Sequence, residues 1–283
     1  MNAGEAAASE LREVTGPSAL GGGWRRFFSL LWLMAVTEFR RIYFGTVLGY
    51  VWSLIRPLLF FAVLLFVFTQ IIRIGSGVPN YPVLLLLGIV LFQFFSETTQ
   101  EAVTSVVGQE AVVRKTQFPR LVIPLAVVLT GAFNSGLNLI VVIVFILAWG
   151  VDPTWTWLLF PLALLFLFIF TTAIAMLLSA LYVRFRDVAI IWSVLSTVLF
   201  YGTPILYPIE IVPEQYRNFI LLNPLAPIFE QIRVWVIDPS APTAVDAAGG
   251  VLGLLPATAI FLGVCFLGVW VFRREAPRIA EEL

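Results

Sequence analysis

The chain has 283 residues, 60% of them hydrophobic and 12% charged, with 17 basic and 17 acidic side chains that balance to a formal net charge of +0. Soluble domains run at about 45–50% apolar and about 25% charged, so the composition excludes an ordinary soluble domain, a disordered chain and a coiled coil. With no net field to draw a polyanion, no nucleic-acid partner is expected; with no histidine and a single cysteine, Cys265, disulfides, zinc sites and imidazole chemistry are excluded as well.

Residues 1–23 are small and polar and lack the basic start and adjoining apolar core of a signal peptide, so they read as a retained, flexible tail. Residues 24–46 set Arg25, Arg26, Glu38, Arg40 and Arg41 at the two ends of an apolar, aromatic middle, the pattern of a helix lying in the membrane interface. Residues 47–272 then carry six runs near the length of about 20 residues that one crossing needs. They cover about residues 50–72, 81–101, 125–149, 155–182, 188–206 and 251–272, and residues 273–283 form a second tail. The fold class is therefore an all-α membrane protein with six transmembrane helices. Fourteen of the 17 basic residues, all but Arg73, Arg217 and Arg233, fall on the side of the termini, which the positive-inside rule assigns to the cytoplasm.

Residues 207–250 make the longest loop on the opposite side. Two apolar stretches in it, residues 219–222 and 228–236, are separated by NPLAP and are too short to cross singly. They read either as a re-entrant pair of short helices facing protein or water, or as an ordinary amphipathic loop.

A nucleotide-hydrolysing P-loop needs a glycine-rich turn before a lysine. The one lysine, Lys115 in VVRKTQF, has no such turn, so ATP hydrolysis within this chain is not expected. The same inner loop carries EAVVRK, a candidate short helix halted at Phe118-Pro119, which reads as a docking element for a soluble partner or as topology-fixing charge with a turn. Glu97 and Glu101 share one helix face at i,i+4 spacing; they line a hydrophilic path or sit at the interface, and they lack the third ligand of a metal site. Arg184, Arg186 and Asp187 in YVRFRD suit anionic headgroups or phosphate, or simple topology anchoring. Asn134, Ser135 and Asn138 interrupt the third span, and Gly131 and Gly136 permit close helix approach there, favouring a packed bundle or an oligomer.

Four stretches together resemble the type-2 ABC exporter permeases that move polysaccharides and polyol phosphates. They are GYVWSLIRPLLFFAVLLFVF from Gly49, RKTQFPRLVIPLA from Arg114, YVRFRDVAIIWSVLSTVLFYGTPILYP from Tyr182 and LLNPLAPIFEQIR from Leu221. The resemblance implies a homodimer of six-span permeases in a bacterial inner membrane, joined to two copies of a cytoplasmic ABC ATPase that bind ATP and magnesium, with no catalytic residue and no cofactor in this chain. It implies coupling to the ATPase through Gln109, Glu110, Arg114, Lys115, Thr116 and Phe118. It also implies an outer gate of re-entrant helices containing Tyr207, Glu210, Tyr216, Arg217, Phe219, Phe229 and Arg233. The expected cargo is a lipid-linked polysaccharide such as O-antigen, capsule, galactan or teichoic acid, entering from the inner leaflet. Glu97, Glu101, Arg184, Arg186 and Asp187 are held as channel or interface candidates. Export of a small lipid or drug, and a membrane glycosyltransferase or acyltransferase, are the alternatives; the enzyme reading lacks converging acids or histidines.

Overall fold

A computed structural model describes residues 23–43, 49–110 and 119–276. Among them every regular element is helical, as hydrocarbon demands, because a helix satisfies its backbone hydrogen bonds internally. In chain order these are α1 (Gly23–Tyr43), α2 (Gly49–Phe66, running on through a π turn at Val67–Ile71), α3 (Tyr81–Gly108), α4 (Val122–Ala148), α5 (Phe160–Arg184, led in by a 3-10 turn at Trp155–Leu159) and α6 (Val188–Gly202). There follow α7 (Glu214–Ile220), α8 (Leu225–Val236), α9 (Ala244–Ala247) and α10 (Leu255–Glu275, after a 3-10 turn at Val251–Leu254). Five of these stretches, containing α2, α3, α4, α5 and α10, are long and apolar enough to cross a membrane. The chain is an all-α membrane protein.

α3 is the hub. Leu84, Leu85, Leu86, Leu87, Ile89, Val90, Leu91 and Phe92 are buried in succession, which is what a helix apolar on every side does when others surround it. α4 and α5 flank it, α10 packs on α5, and α1 packs on α4. Two glycines permit close approach of long helices: a Cβ on Gly131 of α4 would stand 2.1 Å from Thr98 Oγ1 of α3, and one on Gly268 of α10 would stand 2.4 Å from the Ala173 carbonyl oxygen of α5.

α1 lies against α4 through the Thr130 hydroxyl, which donates to the Ala35 carbonyl at 3.2 Å. The Phe133 ring sits between Trp32 and Phe39, at 5.5 and 5.9 Å. Away from this contact α1 leaves Trp24, Phe28 and Leu33 exposed, as an interfacial helix would toward lipid.

α6 runs antiparallel to α3. Near its start the Trp192 indole donates to Thr99 Oγ1 at 3.0 Å; beyond its end the Tyr81 hydroxyl donates to the Leu206 carbonyl at 2.7 Å. The α3 segment between Thr99 and Tyr81 measures about 27 Å at 1.5 Å per residue, close to the hydrocarbon thickness of about 30 Å. The helix itself has 15 residues and ends at Gly202, so residues 203–206 complete this crossing without helical structure.

Candidate functional site

Between α6 and α10 the chain folds back into the Tyr81 end of the bundle. α7 and α8 meet at 105°, and with 7 and 12 residues each is too short to cross hydrocarbon. Asn223 and Pro224 make the corner. The Asn223 amide donates to Thr203 Oγ1 at 2.8 Å, while its Oδ1 accepts from the Leu225 amide at 3.1 Å, so one side chain ties the start of α8 to the end of the α6 crossing. α8 then buries Leu225, Phe229, Ile232 and Val236 in the core it shares with α3 and α5. Carbonyl oxygens at its last turn, which a helix cannot satisfy itself, are capped from α5's lead-in turn: Thr156 Oγ1 donates to Trp235 O at 2.6 Å and Trp157 Nε1 to Val236 O at 3.1 Å.

Two arginines hold this hairpin to the 3-10 turn at Ile209–Ile211. Arg233 Nη1 lies 2.8 Å from Glu210 Oε2 and 3.5 Å from Glu230 Oε2. Arg217 donates from Nε to Val212 O and from Nη2 to Glu210 O, both at 2.9 Å. Glu230 and Arg233 are buried at 1% and 5% exposure. Glu230 Oε1 accepts from the Ile209 amide at 3.2 Å, but Oε2 has only the ionic contact and no hydrogen bond. Burial pushes the Glu230 carboxyl up to about 7, with Arg233 opposing and Glu210 adding to the shift; a buried carboxylate half-neutralised by one shared arginine is costly to ionise.

A second polar feature lies further along α3. A cavity of about 220 Å³ opens between α1, α2, α3 and α4, lined by Arg56, Gln93, Glu97, Glu101, Asn134, Ser135 and Asn138 among others. Arg56 Nη1 stands 3.4 Å from Glu97 Oε1 at its mouth. On the opposite side of the bundle, α5, α8, α9 and α10 enclose an apolar cavity of about 280 Å³ against Pro227, Ile228 and Trp235.

The ABC-2 type transporter family matches this chain over residues 29–236. The chain belongs to the ABC-2 type transporter family. It is 33% identical over 257 residues to the O-antigen export system permease protein RfbA of Klebsiella pneumoniae, covering 90% of this chain and 95% of that protein. It is 30% identical over 242 residues to the RfbA permease of Myxococcus xanthus, covering 83% and 92%. To the polysialic acid transport protein KpsM of Escherichia coli it is 23% identical over 234 residues, covering 81% and 87%. It is a multi-pass membrane permease.

The residues singled out from sequence fall into four places. Arg114, Lys115, Thr116 and Phe118 lie outside the described residues; Gln109 and Glu110 follow the end of α3, beside a small cluster in which Val106, Ile123 and Val183 join α3, α4 and α5. Tyr207, Glu210, Arg217, Phe229 and Arg233 belong to the hairpin. Tyr207 donates to the Tyr201 carbonyl at 2.9 Å and Phe229 is buried, whereas Tyr216 and Phe219 on α7 point outward, Phe219 being 75% exposed. Glu97 and Glu101 share the polar cavity. Arg184, Arg186 and Asp187 form the α5–α6 turn, where Arg184 lies over Phe185 at 5.5 Å and Arg186 over Tyr182 at 5.0 Å. Sequence reasoning missed Glu230, Thr203 and Asn223. The i,i+3 spacing of Glu230 and Arg233 was the available signal for the first; Asn223 opens the NPLAP corner, whose bond to Thr203 nothing local marks.

Proposed function

We propose that this chain is the channel-forming permease subunit of an ATP-driven exporter, moving a lipid-linked polysaccharide outward across a bacterial inner membrane, with both termini cytoplasmic. It works as a homodimer with two copies of a cytoplasmic ABC ATPase that bind ATP and magnesium. The relatives' printed functions support the cargo class. The observation in the fold that carries the reading is a stripe on α6: Ser193, Thr197 and Tyr201, at i, i+4 and i+8, are all exposed, while the helix's other hydroxyl, Ser196, is buried.

The Ser193 and Thr197 hydroxyls donate to the Ile190 and Ser193 carbonyls of their own helix at 2.8 and 3.0 Å, which leaves their oxygens free to accept from water or a partner. Beside the stripe, α2 leaves Leu59, Val63 and Phe66 uncovered, and the two helices touch through Phe60 and Phe200 at 5.9 Å. A second copy set against this α2–α6 face covers the apolar surface and encloses the stripe, giving a polymer the hydroxyl lining that hydrocarbon denies it. At its Tyr81 end the stripe meets the Tyr207–Tyr201 hydrogen bond, the foot of the re-entrant hairpin, which acts as the outer gate. At the Gly108 end, residues 109–118 act as the contact through which closure of the ATPase dimer tilts α3 and α4.

Reconstitution of the chain with its ATPase in vesicles loaded with lipid-linked glycan tests this. ATP-dependent appearance of glycan on the far side is the expected result, and glycan that never moves while ATP is hydrolysed overturns it. Replacing Arg114 and Lys115 together by alanine is expected to lower transport by at least about tenfold with membrane insertion intact; unchanged transport with normal ATPase binding rejects the coupling role.

A further inference from the structure

We propose that the cavity between α1, α2, α3 and α4 binds one uncharged, hydroxyl-rich sugar residue, a site that rests on the exporter reading above and gives it a point of sugar recognition inside the protomer.

The spacing of the lining residues makes the cavity polar. Gln93, Glu97 and Glu101 recur at i, i+4 and i+8 and so form one stripe of α3, while Asn134 and Asn138 recur at i,i+4 on α4. Toward the Gly108 end of α3 and on the facing turns of α4, amides and carboxylates line one shared space, and polar groups set between helices in this way meet a ligand, water or a partner. Asn138 borders the cavity, and its Oδ1, shielded from it, has no hydrogen-bond partner among the described residues; a turn of the amide would present that oxygen to a ligand hydroxyl.

Charge selects against anions. Arg56 is matched by Glu97 at 3.4 Å, which leaves Glu101 in excess; Glu38 of α1, the nearby acid, is paired with Arg41. A phosphate would therefore meet the Glu101 carboxylate with the one cation among the described lining residues already engaged. Carboxylate and amide oxygens accept from the hydroxyls of a diol, amide nitrogens donate to ring and hydroxyl oxygens, and the wall at Phe94 offers an aromatic surface. The volume of about 220 Å³ accommodates a pyranose ring. The mouth is open, since the Arg56 and Glu97 side chains are 77% and 52% exposed.

The test uses the full-length chain with its ATPase in nanodiscs, titrated with a polyprenyl diphosphate carrying one N-acetylhexosamine and with the same polyprenyl diphosphate carrying none. The wild type is expected to bind the sugar-bearing lipid about tenfold more tightly. Asn138→Leu, close in shape, and Glu101→Gln, which keeps shape and removes charge, are each expected to abolish that preference while the bare lipid still binds, which also shows that the variants are folded. If both variants keep the preference, or the wild type binds both lipids equally, the sugar site is wrong and the exporter reading stands. If the wild type binds neither probe, the exporter reading fails and takes this site with it.

Discussion

At Arg233 one guanidinium serves two carboxylates, Glu210 and Glu230, with the latter almost wholly buried. Removing the cation strands both acids, so Arg233→Met is expected to destabilise the fold by about 3–5 kcal/mol, the cost of breaking a buried pair from one side, read as a lowered thermal midpoint in detergent. Glu230 behaves differently. Its folded carboxyl is pushed up to about 7 from 4.5, so the folded state holds the proton more tightly than the unfolded one. The associated stability is fully present below about pH 4.5 and is lost as pH rises through about 7. The wild type should therefore melt at a lower temperature at pH 8 than at pH 5, and Glu230→Gln should flatten the difference; an equally steep dependence in the variant would remove Glu230 as its source. Arg217 and Arg233 are recognisable in the sequence as cations in an outer loop. That Glu230 turns inward is not, because a short apolar helix does not declare which neighbour it packs against.

The α3–α4 crossing depends on a missing side chain. With Thr98 Oγ1 only 2.1 Å from where a Gly131 Cβ would stand, Gly131→Ala is expected to cost about 1–3 kcal/mol as overpacking. Thr98→Ala in the same chain should recover much of that; a double-mutant cycle showing no coupling would mean that the helices separate freely. The long spans were legible because length and apolar composition mark them directly, and the corner NPLAP marked the α7–α8 break. Helix ends were less legible. α3 runs seven residues past its expected end at 101, because the polar surroundings that normally announce a terminus are present on Glu97 and Glu101 well before the helix stops. α6 ends four residues early, at Gly202, and what fixes it there is distant in sequence: the Asn223–Thr203 bond and the Tyr81 bond to Leu206. α7 likewise spans Glu214–Ile220, upstream of the apolar patch at residues 219–222, because Pro213 starts the helix and the charged residues following it carry the first turn.

In the complete molecule, the α6 stripe and the hairpin form one continuous line from Ser193 through Tyr201 to Tyr207. Ser193→Leu with Thr197→Leu should cut glycan transport at least about tenfold while ATPase binding persists; transport at wild-type rates would place the polymer's path elsewhere. The shortness of α6 also decides where this part of the chain can rearrange. Its 15 residues give about 22 Å of helix, against about 42 Å for the 28 residues of α3. Residues 203–206 make up the difference without helical structure, so their backbone groups depend on neighbours and not on a helix's own ladder. The Leu206 carbonyl is held by the Tyr81 hydroxyl and Thr203 by the Asn223 amide; single bonds of this kind exchange one at a time, whereas a continuous helix would have to unwind.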